Sequence, residues 1–123
     1  MEIKTIYEER LMNVLDEVGI YVFGKPLASY IVKSRRRELV EVREMFCLLL
    51  REKTDYSYSQ IGCLFGLNHA TVFYEEKAAK DLISIYPRLK EEYELLRDKY
   101  MKTIMTLDEK LAMARSNETS AAV

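Results

Sequence analysis

The sequence predicts an all-α fold: a compact helical domain carrying a basic loop and a helix-turn-helix, continued by a long C-terminal helix. Three observations predict it. Apolar residues recur at helical spacing through every long segment. The stretch Ser57–Lys77, SYSQIGCLFGLNHATVFYEEK, holds two short helices separated by a glycine. The run Lys33-Ser34-Arg35-Arg36-Arg37 lies shortly ahead of that unit, with a single helix between.

Residues 3–18 come first, with Ile3, Ile6, Tyr7, Leu11, Val14, Leu15 and Val18 as an apolar stripe. Gly19 is the expected stop, and Ile20–Phe23 an extended link. Gly24-Lys25-Pro26 reads as a turn, with Pro26 opening a short helix to about Val32. After the basic link, Glu38 opens a helix to about Lys53. Its buried face is Leu39, Val42, Phe46 and Leu49, widened by Met45 and Leu50. Arg43 lies one position from that face and is expected to emerge beside the basic link. Thr54-Asp55-Tyr56 is a short linker.

Ser57-x-x-Gln60 is a capping box, in which the serine hydroxyl accepts from the N3 amide and the glutamine reaches back. Ile61, Leu64 and Phe65 follow at helical spacing. Gly66 ends the helix where a positive φ is needed. Asn68 caps the next helix, Val72 points back at the first, and Leu67 plugs the turn. That second helix runs to about Tyr86, because Pro87 breaks the pattern and suits the first turn of another. From Leu89 the chain is helical to about Arg115. Leu89, Tyr93, Leu96, Tyr100, Ile104, Leu107 and Leu111 step by 4, 3, 4, 4, 3 and 4, close to an 11-residue period. Its early turns pack on the domain. Two readings of the later turns stay open: an unpaired helix end, or from Ile104 a contact with a second copy, giving a homodimer. Residues 116–123 are small and polar and read as a flexible tail.

Composition narrows the function. At 123 residues with 49% apolar content, the chain suits one domain with at most an appended helix. No run of eighteen apolar residues exists, so no membrane partner is expected. The N-terminus lacks the basic flank and apolar core of a secretory signal. Cys47 and Cys63 fall at apolar helix positions and are expected to be buried thiols in a reducing cytoplasm. With His69 they make no metal pattern, so no metal and no cofactor are expected. Gly19-x4-Gly24-Lys25 superficially matches a phosphate-binding loop. However, Pro26 stands where a Mg²⁺-ligating hydroxyl belongs, bulky residues fill the loop, and no strand precedes it. No nucleotide site and no enzyme are expected.

The net charge of −1 argues against a coat of positive charge, but local clustering is what nucleic-acid binding requires. The dense Lys33–Arg37 run suits phosphates and a narrow minor groove. The helix after Asn68 would present His69, Ala70, Thr71, Tyr74 and Lys77 on its front and outer face. In a helix-turn-helix DNA reader, the first residues of that helix touch base edges in the major groove.

With these features in one line, the chain resembles the DNA-binding C-terminal domain of the bacterial replication initiator DnaA. The resemblance spans about residues 5–95, with its specific motifs in 33–77. They are the basic loop, Arg43-Glu44, Thr54-x-x-Ser57, Gln60-Ile61-Gly62-x-x-Phe65-Gly66 and Asn68-His69-Ala70-Thr71-Val72. The resemblance implies a role in replication initiation through double-stranded DNA. By position, Arg35 matches the minor-groove arginine, with Arg36 beside it. Arg37 and Arg43 match flanking contacts, and Lys33 of the same basic run is a further expected DNA contact. Asn68, His69 and Ala70 match base readers, Thr71 a second threonine, and Lys77 a later basic contact. The chain departs from the family pattern in four places. The turn before Asn68 is one residue shorter, Asn68 replaces Asp, Ala70 offers only a methyl group, and Glu44 replaces Gln. Glu75 and Glu76 suit a DNA-binding helix only if they face away from it. No ATPase module lies in these residues. The expected organisation is a DnaA-like domain over residues 1–100, a helical extension over 101–115 and the tail over 116–123. The rival expectation is a helical adaptor acting on the replication machinery without reading DNA.

Overall fold

The computed structural model describes the backbone of residues 2–31 and 36–121 and the side chains of residues 8–31 and 36–107. Among the described residues, five α-helices follow in order: α1 Glu2–Phe23, α2 Arg37–Lys53, α3 Tyr58–Phe65, α4 His69–Ile85 and α5 Pro87–Ala121. A 3-10 turn, Leu27–Ser29, sits between α1 and α2. No strand occurs among the described residues, so the all-α expectation holds.

Helix α2 is central, with an unbroken buried run from Met45 to Leu50. It packs on α3 and α4, while α1 packs on α5 and the 3-10 turn. Leu15, Val18, Leu27, Phe46, Leu49, Leu50, Ile61, Val72 and Leu96 are fully buried in one core. Each such side chain contributes roughly 1.5–3 kcal/mol of transfer free energy. Phe46 of α2 meets Phe23 and Tyr30 at centroid distances of 6.2 and 6.3 Å, closing the core beneath the first turn. Tyr93 ties α5 to α2 by donating to Glu52 Oε2 at 3.0 Å.

Helix α1 does not stop at Gly19. It runs through to Phe23, so Ile20–Phe23 are helical and not an extended link. Gly19 is there for close approach: a Cβ would lie 3.1 Å from the Lys25 carbonyl oxygen and 3.3 Å from the Phe46 ring. The stop is Gly24, at φ 81°, whose N–H donates to Ile20 O at 2.9 Å. Pro26 precedes only the short 3-10 turn. The Leu27 N–H there donates to Asp16 Oδ1 at 2.9 Å, fastening the turn to α1.

The break between α4 and α5 follows from Pro87. Tyr86 is extended (φ −109°, ψ 109°), as a residue before proline is pushed to be, and Pro87 starts α5 where no N–H is needed. Leu89, Tyr93, Leu96 and Tyr100 are buried, as the periodicity predicts. Ile104 is half-buried and Leu107 exposed, while the side chain of Leu111 lies outside the described residues. The helix also outruns its expected end at Arg115 and reaches Ala121, since no glycine or proline after Pro87 interrupts it. Of the expected tail, the backbone of residues 116–121 is helical, while its side chains and all of Ala122 and Val123 lie outside the described residues.

Candidate nucleic-acid interface

The unit formed by α3, a turn and α4 is built from local interactions. The Ser57 N–H donates to Gln60 Oε1 at 2.8 Å, and the Gln60 N–H donates to Ser57 Oγ at 3.1 Å, so the capping box is complete. Gly66 ends α3 at φ 69°, ψ 32°, in the left-handed region. The Leu67 N–H donates to Gly62 O at 2.8 Å. A Cβ on Gly62 would stand 2.4 Å from the Leu67 carbonyl oxygen, so this tight turn requires glycine at 62 as well as at 66. Asn68 then caps α4, its Oδ1 accepting from the Ala70 N–H at 2.8 Å.

Helix α4 buries Val72, Glu75, Glu76 and Ala79. With 3.6 residues per turn, Ala70, Tyr74, Lys77 and Asp81 form its outermost row. His69 and Phe73 lie on one flank and Thr71 and Ala78 on the other. All of these are exposed except the half-buried Ala78. On the second flank, Ala78, Asp81 and Leu82 share a shallow groove with Arg37, Val40, Glu41 and Glu44 of α2. The start of α2 therefore lies beside the flank of α4.

Residues 20–78 match the family model for the bacterial DnaA protein helix-turn-helix. This segment belongs to that family. The chain is similar to the chromosomal replication initiator protein DnaA of Mycoplasma pneumoniae, with 38% identity over 61 residues, 50% of this chain and 14% of the relative. It is also similar to the DnaA of Mycoplasma genitalium, with 34% identity over 61 residues and the same shares. With the DnaA of Roseiflexus castenholzii it shares 33% identity over 91 residues, 73% of this chain and 19% of the relative. The chain thus spans less than a fifth of the length of each of these relatives.

Within the DnaA-type unit, Asn68, His69, Ala70, Thr71, Tyr74 and Lys77 are gathered on one exposed end and face of α4, as expected. Of the basic link, Lys33 and Arg35 lie outside the described residues. Arg36 is exposed at the cap position of α2. Arg37 belongs to the first turn of α2 and not to the link, and its Nε donates to Glu41 Oε1 at 3.1 Å.

Arg43 departs most from expectation. It does not emerge beside the link. Its side chain is 12% exposed and turned into α4, where Nε donates to Glu75 Oε1 at 2.7 Å. Cys47 Sγ donates to the other Glu75 oxygen at 3.3 Å, and burial, then the neighbouring Glu75 charge, raises that thiol far out of its ordinary range. Glu76 is matched by Arg51 Nε at 3.3 Å and Lys80 Nζ at 3.0 Å. Burial pushes Glu76 upward, but hydrogen bonds from Lys80, Tyr58 and Arg51 outweigh it and hold the carboxyl below its ordinary value. Glu75 and Glu76 therefore face inward, and Asp81 is the acid that α4 leaves exposed. The signal was present in the sequence, since Val72, Glu75, Glu76 and Ala79 fall at helical core spacing.

Two other features differ from expectation. Cys63 is exposed, not buried, because the core face of the eight-residue α3 is Ile61, Gly62 and Phe65. Sequence reasoning also passed over Tyr58 and Phe73. Their rings meet edge to face at 5.5 Å and 82°, and Phe73 meets Tyr74 at 5.5 Å and 73°. Glu44, on the groove beside α4, is pushed up to about 7 by burial and then by Glu75. No cluster of potential metal ligands occurs among the described residues, and no helix is long and apolar enough to cross a membrane.

Proposed function

We propose that this chain binds double-stranded DNA sequence-specifically in a replication-initiation setting, without enzymatic activity or a nucleotide of its own. The first turn of α4 enters the major groove, and Arg35 and Arg36 of the basic link reach an adjacent minor groove. Arg37 and Lys33 add phosphate contacts, with Lys77 further along α4. The observation that carries this reading is the capped, solvent-facing start of α4 within the segment that matches the DnaA helix-turn-helix. The amino end of α4 also suits a nearby phosphate, through the helix dipole and the amides that the Asn68 cap does not use. Glu75 and Glu76 are withdrawn into the protein, which leaves the outer row less acidic than the sequence suggests. Arg43 is better read as a structural residue than as a DNA contact, because it neutralises Glu75.

A mobility-shift titration across a salt series tests this. Arg35→Ala with Arg37→Ala should weaken binding to every duplex and flatten the salt slope by about one for each lost phosphate contact. His69→Ala should chiefly reduce preference among sequences. Unchanged binding by the arginine pair would overturn the docking. A cytoplasmic location follows from the same reading.

A second reading concerns α5. Met101, Met105 and Leu107 are exposed beyond its packed turns, which favours pairing with a second copy of the chain. Sedimentation of the full chain and of Met105→Glu tests it, and a monomer at all concentrations rejects it.

A further inference from the structure

The outermost row of α4 is unusual in what it offers a base pair. Ala70 presents a methyl group and Tyr74, one turn on, presents a ring that is 67% exposed. That exposed ring is not loosely held. Phe73 meets it edge to face at 5.5 Å, Tyr58 of α3 meets Phe73 in the same manner, and the Arg51 guanidinium lies 4.1 Å over the Tyr58 ring. Arg51 is anchored in turn, donating from NH1 to the Tyr56 carbonyl at 3.0 Å and from Nε to Glu76. A chain of contacts thus runs from the protein body through Tyr58 and Phe73 to Tyr74. Ordering an exposed aromatic in this way has an entropic cost that solvent contact does not offset. A held ring of this kind suits an apolar partner at the groove floor. In the major groove, the one apolar feature on a base edge is the thymine 5-methyl group.

We infer that Tyr74, held by Phe73 and Tyr58, is a specificity-determining residue that reads a thymine 5-methyl group in the major groove. This rests on the proposed duplex-binding mode and deepens it by naming the group read. Phe73 and Tyr58 are positioning residues: they orient the ring and need not touch DNA themselves.

The test uses the full chain and a duplex recovered by selection from a random-sequence library. Each thymine of that duplex is replaced in turn by uracil, which removes only the methyl group. At one position the replacement should weaken wild-type binding about fourfold, the effect of one buried methyl group. Tyr74→Ala should bind the thymine and uracil forms at that position equally, while keeping its response at other positions and its salt slope. Tyr74→Phe should retain the difference, and Phe73→Ala should shrink it at unchanged salt slope. Circular dichroism shows whether each variant is folded. A selected site with no methyl-sensitive thymine, or a Tyr74→Ala profile identical to wild type, overturns the inference while leaving duplex binding intact. Failure of the chain to bind any duplex overturns the functional reading and this inference together.

Discussion

Arg43 of α2 and Glu75 of α4, 32 residues apart, form an ion pair whose side chains are only 12% and 8% exposed. The pair fastens the helix carrying the candidate reading face to the central helix of the core. Such a pair is costly to break from one side, because the survivor keeps a buried and uncompensated charge. Glu75→Ala should destabilise the fold by about 3–5 kcal/mol in denaturant titrations. The double variant Arg43→Leu, Glu75→Leu should lose much less than the two single changes together. Equal, additive losses would mean the pair is not coupled.

The turn makes different demands on its two glycines. Gly66→Ala places a Cβ in the left-handed region and should cost about 1–2 kcal/mol. Gly62→Ala instead drives a methyl group against the Leu67 carbonyl oxygen, so the backbone itself must move. It should cost more than Gly66→Ala in thermal unfolding. It should also weaken duplex binding beyond what the loss of folded protein explains, because α4 is reoriented.

Asn68→Ala removes the acceptor for the Ala70 N–H and should cost about 1 kcal/mol, whereas Asn68→Asp should retain the cap. Chemical denaturation of the three proteins side by side checks this without reference to DNA.

Glu44 should give the fold a pH dependence whose sign follows from its burial. Burial, followed by the Glu75 charge, raises its folded-state value to about 7 from the ordinary 4.5, with Arg43 and Arg37 opposing. The folded state therefore holds this proton more tightly than the unfolded chain. The associated stability is fully present below about 4.5 and is lost as pH rises through about 7. Glu44→Gln should stabilise the protein at pH 8 and change little at pH 4, the gain falling short of the full shift because solvent screens a half-buried carboxyl. Denaturant midpoints for both proteins across this range, compared at each pH, isolate the contribution. A constant difference between the two would show that Glu44 does not titrate there.

Much of the candidate interface was legible because it is written locally. The capping box Ser57–Gln60, the stop at Gly66, the cap at Asn68 and the break at Pro87 each depend on residues within one turn of one another. Their side chains and φ angles permit few alternatives. The exposed face of α4 followed from periodicity once its start was known.

Gly19 and Arg43 differ from expectation for a common reason: their roles depend on partners that local sequence does not name. Gly19 reads as a helix stop until the Lys25 carbonyl and the Phe46 ring are seen against it. An arginine one position off an apolar face can reach solvent or fold inward. The carboxylate that drew Arg43 inward is supplied by another helix.

By itself, the sequence determined most of the helices, the glycine turn and the match of residues 20–78 to the DnaA helix-turn-helix, because these rest on short-range geometry and on motifs. Only the tertiary structure decided which charges remain on the surface and which aromatic rings brace one another. Those outcomes depend on desolvation and on contacts between α2, α3 and α4, which exist only once the helices have packed.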